Sequence, residues 1–211
     1  MTTGYENTSS IFKVEINFGR SEIIFSGIAE SFANLKWLQV TFGQLKFIET
    51  EDFTGLEKLE LLELSFQKIE LLPDDVFSGL SSLTSLLISG NQIKELPEQV
   101  FWNLSSLTEL NLNFNQIKEL PEQVFWNLLS LTELRLDRNQ IKELPENLLN
   151  NLTKLRSLHF NDNMIEFFPS KLFSNKLNLY EIKMFNNKVT TIDFDFRSLP
   201  NLRFYNNSDS N

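Results

Sequence analysis

The chain has 211 residues, 41% hydrophobic and 22% charged, an ordinary globular balance and enough chain for one sizeable core. Its 19 basic and 28 acidic residues give a formal net charge of -9, so a nucleic-acid backbone or an anionic membrane surface is repelled on average, while a basic partner is compatible. No cysteine occurs, which excludes a disulfide framework, a thiolate nucleophile and a thiolate metal site and leaves the redox compartment open.

Residues 1–10, MTTGYENTSS, form a polar tail without the basic start and apolar stretch of a signal peptide. No window in the chain has the length of a membrane span. Either the protein is made in the cytosol or a leader has been removed.

From residue 11 to 202 the chain repeats with a period of 24. NQIKELPEQVFWNLSSLTEL at Asn91–Leu110 recurs at Asn115–Leu134 with one change, Ser105 to Leu129. About eight repeats start at Ile11, Leu35, Leu59, Leu83, Leu107, Leu131, Leu155 and Leu179, all apolar. Further columns run Val14, Leu38, Leu62, Leu86, Leu110, Leu134, Leu158, Ile182 and Ile16, Val40, Leu64, Ile88, Leu112, Leu136, Phe160, Met184, alternating with polar residues as in a short strand with one buried face. A return arm follows, marked by Ile69, Ile93, Ile117, Ile141 and Ile165 and by Phe53, Phe77, Phe101, Phe125, Leu149 and Phe173. One unit cannot bury its own apolar edge, but stacked units share a core, so the strands are predicted to be parallel. Prolines at 73, 97, 121, 145 and 169 predict an extended return and argue against a long helix. Residues 203–211 are a polar tail or a truncated last repeat.

The pattern L-x-x-L-x-L-x-x-N-x-I, filled by Leu83, Leu86, Ile88, Asn91 and Ile93, resembles the leucine-rich repeat family. The resemblance covers residues 11 to about 202. A 24-residue unit with Phe in its second half is similar to the animal extracellular class, and the wording of the repeats resembles insect members. It implies an α/β solenoid: a horseshoe with a parallel β-sheet on the concave face and mostly irregular or short helical convex arms. It also implies protein recognition on the concave face. Departures stand at both ends. Gly19, Gly43 and Gln67 occupy the column that holds Asn91, Asn115, Asn139, Asn163 and Asn187, so the first repeats are expected to turn differently. Lys176 replaces the last apolar column with Leu177 beside it, and Phe196 and Leu199 run one residue early. Cysteine-stapled caps usual in extracellular members are missing, which predicts a truncated chain or polar caps.

Chemistry is sparse. The single histidine, His159, falls on the outward side of a strand and is expected to be a surface residue, with no convincing serine triad around it. The carboxylates of the recurring ELPE string form a solvated convex ladder, and the glycines are too scattered for a phosphate loop. No enzyme activity, cofactor or metal is predicted. Sequons occur at Asn7, Asn103, Asn151 and Asn206; Asn103 and Asn151 share one convex position where a glycan leaves the concave face free, although chance accounts for about this number.

The concave positions are asymmetric. The amino-terminal half presents Phe18, Trp37, Phe42, Leu61, Phe66 and Leu87 beside Glu15, Gln39 and Glu63; the carboxy-terminal half presents Arg135, Arg138 and His159 among Asp137, Asp162, Glu133, Glu181 and Lys183. Exposed aromatic residues suggest a contact patch. For the three phenylalanines, folding over the bend is an equal alternative, whereas Trp37 and Leu61 point outward whatever the bend does. These readings converge on an extracellular ligand- or receptor-binding scaffold for a protein partner. The alternatives are an intracellular, cytoplasmic adaptor or regulatory scaffold using the same face and a structural or adhesion protein that self-associates, as a homodimer or a matrix.

Overall fold

The computed structural model describes residues 13–17, 28–192 and 199–202; Gly19 and Phe196 lie outside them. Eight short strands make one sheet: β1 (Lys13–Asn17), β2 (Trp37–Thr41), β3 (Leu61–Glu63), β4 (Ser85–Leu87), β5 (Glu109–Asn111), β6 (Glu133–Arg135), β7 (Ser157–His159) and β9 (Glu181–Lys183). Every pairing is parallel and joins each residue to the one 24 positions on, as in Leu38 to Leu62 and Leu134 to Leu158. Leu38 in β2 and the central residues of β3 to β7 are buried, as is the column two residues on, because both face the shared core. A two-stranded sheet pairs β8 (Phe167–Phe168) with β10 (Thr191–Ile192) on the return side. Helix is confined to α1 (Ile28–Ser31) and a 3-10 turn at Thr50–Phe53 among the described residues.

Strands end at an amide ladder. Asn91 accepts the Ile69 N–H at 3.1 Å on Oδ1 and donates from Nδ2 to the carbonyls of Leu64 (2.9 Å) and Ile88 (3.1 Å). Asn115, Asn139, Asn163 and Asn187 repeat this pattern. Buried backbone groups that a bend would orphan are thereby satisfied. Contrary to the sequence expectation, the bend at Gln67 turns in the same way as the later ones, with φ of 58° at Phe66, whereas Gly43 has no side-chain amide to add to the ladder. Gln67 accepts from Leu45 N–H at 3.1 Å and donates to Val40 O at 3.0 Å, doing the work of an asparagine. Its extra methylene fits because Gly43 precedes it: a Cβ there would stand 2.4 Å from Gln67 Oε1.

No long helix follows the prolines among the described residues, as expected, but they open turns instead of continuing an extended return. The carbonyls of Pro73, Pro97, Pro121, Pro145 and Pro169 each accept the N–H three residues on, so each proline opens a single tight turn. Its fixed φ suits a first-turn position and its missing N–H goes unused there. Behind these turns runs a phenylalanine spine, with ring centroids 6.0–6.3 Å apart from Phe53 through Phe77 and Phe101 to Phe125. Leu149 breaks it, and Phe173, Phe168 and Phe160 refill the space farther on. Lys176 takes the place of Leu152 one repeat later and is buried, its Nζ reaching Ser174 O at 3.0 Å and Asn150 O at 3.4 Å. Burial lowers its pKa from the ordinary amine range.

Candidate functional site

The outer face of the sheet gathers the outward strand residues into two zones. In the amino-terminal zone Trp37 is 46% exposed and lies 5.9 Å below the Lys13 ammonium, while Leu61 and Leu87 are half-buried in the neighbouring strands. Gln39 donates to Glu63 at 2.7 Å, and Lys13 pairs with Glu15 at 2.5 Å along its own strand. Glu15, Gln39, Thr41, Phe42 and Glu63 together line a shallow acidic cavity.

The two described phenylalanines of the rim keep exposed faces, while Phe66 also covers the bend at Gly90. Phe42 is 70% exposed and Phe66 46%, and their rings stack at 4.9 Å with planes 1° apart. Phe66 lies across the next residue of its column, Gly90, where an added Cβ would meet its ring at 2.5 Å. Phe18 lies outside the described residues. Phe42, Phe66 and Gly90, with Phe114, Arg138, Asp162 and Asn186, have φ between 53° and 69°. That left-handed conformation is sterically unfavourable for any residue with a Cβ. The solenoid bend imposes it once per repeat. Phe114 was not singled out from sequence, although its place two 24-residue repeats beyond Phe66 was the available signal. Arg138 lies 4.8 Å over its ring and 3.4 Å from Asp162, so this guanidinium is held on the rim.

The carboxy-terminal zone departs from the expectation of a surface histidine. His159 is only 8% exposed. Its Nε2 stands 2.9 Å from Glu181 Oε2 and 3.0 Å from Ser157 Oγ, and its Nδ1 stands 3.7 Å from Asp137 Oδ2. Ser157 and Glu181 on one side and Asp137 on the other wall the ring in, which a single strand read alone does not reveal. Burial raises the Asp137 carboxyl pKa even though Asn161 N–H bonds to it at 2.6 Å. Burial also acts upward on Glu181, but hydrogen bonds from His159 and Ser157 and the Lys183 charge outweigh it and carry Glu181 below its usual value. Arg135 is committed to Glu133 at 2.6 Å.

Serine, imidazole and carboxylate thus stand in a row, yet the Ser157 hydroxyl donates to Glu181 at 2.9 Å and the Ser157 N–H is spent on Thr132 O. Neither the hydroxyl nor that amide is poised for acyl transfer. The cluster is a closed polar network.

Asn103 and Asn151 occupy a second amide column on the convex side. Their Nδ2 atoms donate to Ser78 O at 3.4 Å and Trp126 O at 3.0 Å, and Asn127, which is in no sequon, donates to Trp102 O at 3.1 Å. Asparagine therefore recurs there for inter-repeat bonding whether or not a sequon is complete. Asn7 and Asn206 lie outside the described residues. Trp102 and Trp126, on the convex return arms, are 41% and 38% exposed.

The family model described as Leucine rich repeat matches residues 33–93 and 82–141, more than half the chain. No curated protein matches. Among solved structures, a TLR13–ssRNA13 complex is similar over 90% of this chain, with 27% sequence identity and a TM-score of 0.79. This chain spans only 27% of that TLR13 chain. No described helix is long and apolar enough to cross a membrane.

Proposed function

Because this chain belongs to the leucine-rich repeat family, we propose that it is a protein-binding scaffold that docks its partner on the amino-terminal half of the concave face and works outside the cell. One observation carries the placement: two exposed phenylalanines are stacked on each other in a backbone conformation that disfavours them. Glycine or asparagine would fill the bend at lower cost, so Phe42 and Phe66 are best explained by what they present outward. Trp37, Leu61 and Leu87 extend that strip into the sheet. Arg135, Arg138 and His159, each already held by carboxylates, form a polar margin that sets orientation.

The test is titration calorimetry on the partner recovered by crosslinking to the wild-type chain. Trp37→Ala, Leu61→Glu and the pair Phe42→Ala with Phe66→Ala are each expected to weaken binding 10-fold or more. Unchanged affinity in all three abandons this zone. The TLR13 neighbour was solved with a single-stranded RNA, so RNA is the direct competitor reading. A net charge of -9 and the Glu15 and Glu63 cavity oppose it. Salt-sensitive binding of a single-stranded oligoribonucleotide, lost in the concave variants, would replace the protein partner with RNA. Extracellular operation predicts glycans on Asn103 or Asn151, read as a fall in intact mass on enzymatic deglycosylation of protein from its natural source.

A further inference from the structure

We propose a second docking groove, on the flank formed by the first return arms, for a partner segment that presents an apolar side chain between basic ones. Five successive repeats place residues 71, 95, 119, 143 and 167 at one position, with Phe47 preceding them in the same register. In the middle repeats this position holds Glu95, Glu119 and Glu143, all exposed. The fold therefore needs nothing apolar there. Phe47 and Leu71 nevertheless stand side by side in the series, 60% and 64% exposed.

These two side chains border a groove of about 560 Å³ whose floor includes Leu72 and Leu96. Its remaining lining contains three carboxylates, Glu49, Asp74 and Glu95, and no basic side chain. The adjacent column does not neutralise them: Lys94 is bound to Glu70 at 2.9 Å, and the charge of Lys46 also acts on Glu70. An apolar cleft edged by carboxylates is complementary to an apolar anchor flanked by lysine or arginine. A second copy is a poor occupant, because a two-fold contact would set the same three carboxylates against themselves. The groove lies off the concave sheet, so it stands or falls independently of the function proposed above.

The test uses a fluorescein-labelled peptide with one leucine between two lysines and a counterpart with glutamates in place of the lysines. Phe47→Glu with Leu71→Glu restores the residue of the middle repeats and is expected to fold normally, checked by circular dichroism. The basic peptide should bind at least 10-fold tighter than the acidic one, weaken with salt, and shift the amide resonances of Ile48, Leu72 and Asp74. The double variant should lose that binding at least 10-fold, while Trp37→Ala and Leu61→Glu leave it unchanged. Equal binding of the two peptides, no binding, undiminished binding to the double variant, or shifts confined to the strands overturns the proposal. A concentration-dependent dimer abolished by the double variant overturns the assigned occupant in favour of a second copy.

Discussion

Gly43 and Gln67 are coupled strongly enough to be measured by a double-mutant cycle. In Gly43→Ala the new Cβ would sit 2.4 Å from Gln67 Oε1 and 3.1 Å from its Nε2. Gln67 must then swing away, leaving Leu45 N–H and Val40 O without the partners that satisfy them at 3.1 and 3.0 Å. Each unsatisfied buried group costs about 1–3 kcal/mol, so the loss should lie in the lower half of about 2–6 kcal/mol. Gln67→Asn shortens the amide to the length used at Asn91 and should cost under about 1 kcal/mol. In that background Gly43→Ala should be nearly free, giving a coupling energy of about 2–3 kcal/mol. Urea unfolding measures the four variants, and hydrogen exchange at the Leu45 amide reads the same loss locally. Additivity within about 0.5 kcal/mol would refute the reasoning, because it would mean that glutamine does not depend on the missing Cβ.

Two other substitutions test the titrating groups. Lys176→Met should stabilise the protein by about 1–2 kcal/mol at neutral pH, since a methionine fills the leucine column without a buried ammonium. Because the folded pKa of Lys176 lies below its unfolded value, the unfolded chain binds more protons between the two; wild-type stability rises with pH through that window, and the advantage of Lys176→Met should shrink toward pH 10.5. A difference that grows with pH in urea melts contradicts this. Glu181→Gln should destabilise by about 1 kcal/mol at pH 7. Glu181 is held below its unfolded value of 4.5, so that difference should be full above about pH 5 and vanish as pH falls through the lowered folded value. Equal melting of the two proteins at pH 7 would mean that the Ser157–His159–Glu181 network contributes nothing.

The strand columns were legible because each leucine obeys two rules at once, a period of 24 along the chain and burial of the middle residue within each strand. Leu62, Leu86, Leu110 and Leu134 satisfy both. Side-chain length between repeats was not legible. Gln67 looks like a broken asparagine ladder until Gly43 is seen beside it, and Lys176 looks like a surface intrusion until two carbonyls are found at its tip. His159 shows the same limit: its position faces outward, but Asp137 and Glu181, 22 residues away on either side, close over it. Trp37 and Leu61 project from the sheet as expected because pleating alone decides their direction. The Phe42–Phe66 stack required the bend conformation, which no periodicity encodes.

The uniform spacing of bonds has a mechanical consequence. The ladder hydrogen bonds between coils span 22–27 residues, as in Thr108 to Thr84 or Asn115 to Ile88, and every pairing in the main sheet joins adjacent coils. A tether pulling on the two ends would thus meet no long-range clamp among the described residues and would peel the outermost coil first. Each rupture would release about 80 Å of extended chain, the reach of one repeat. Stretching traces should show a train of evenly spaced, low-force steps, so that tension sheds coils from an end while those farther in keep their shape.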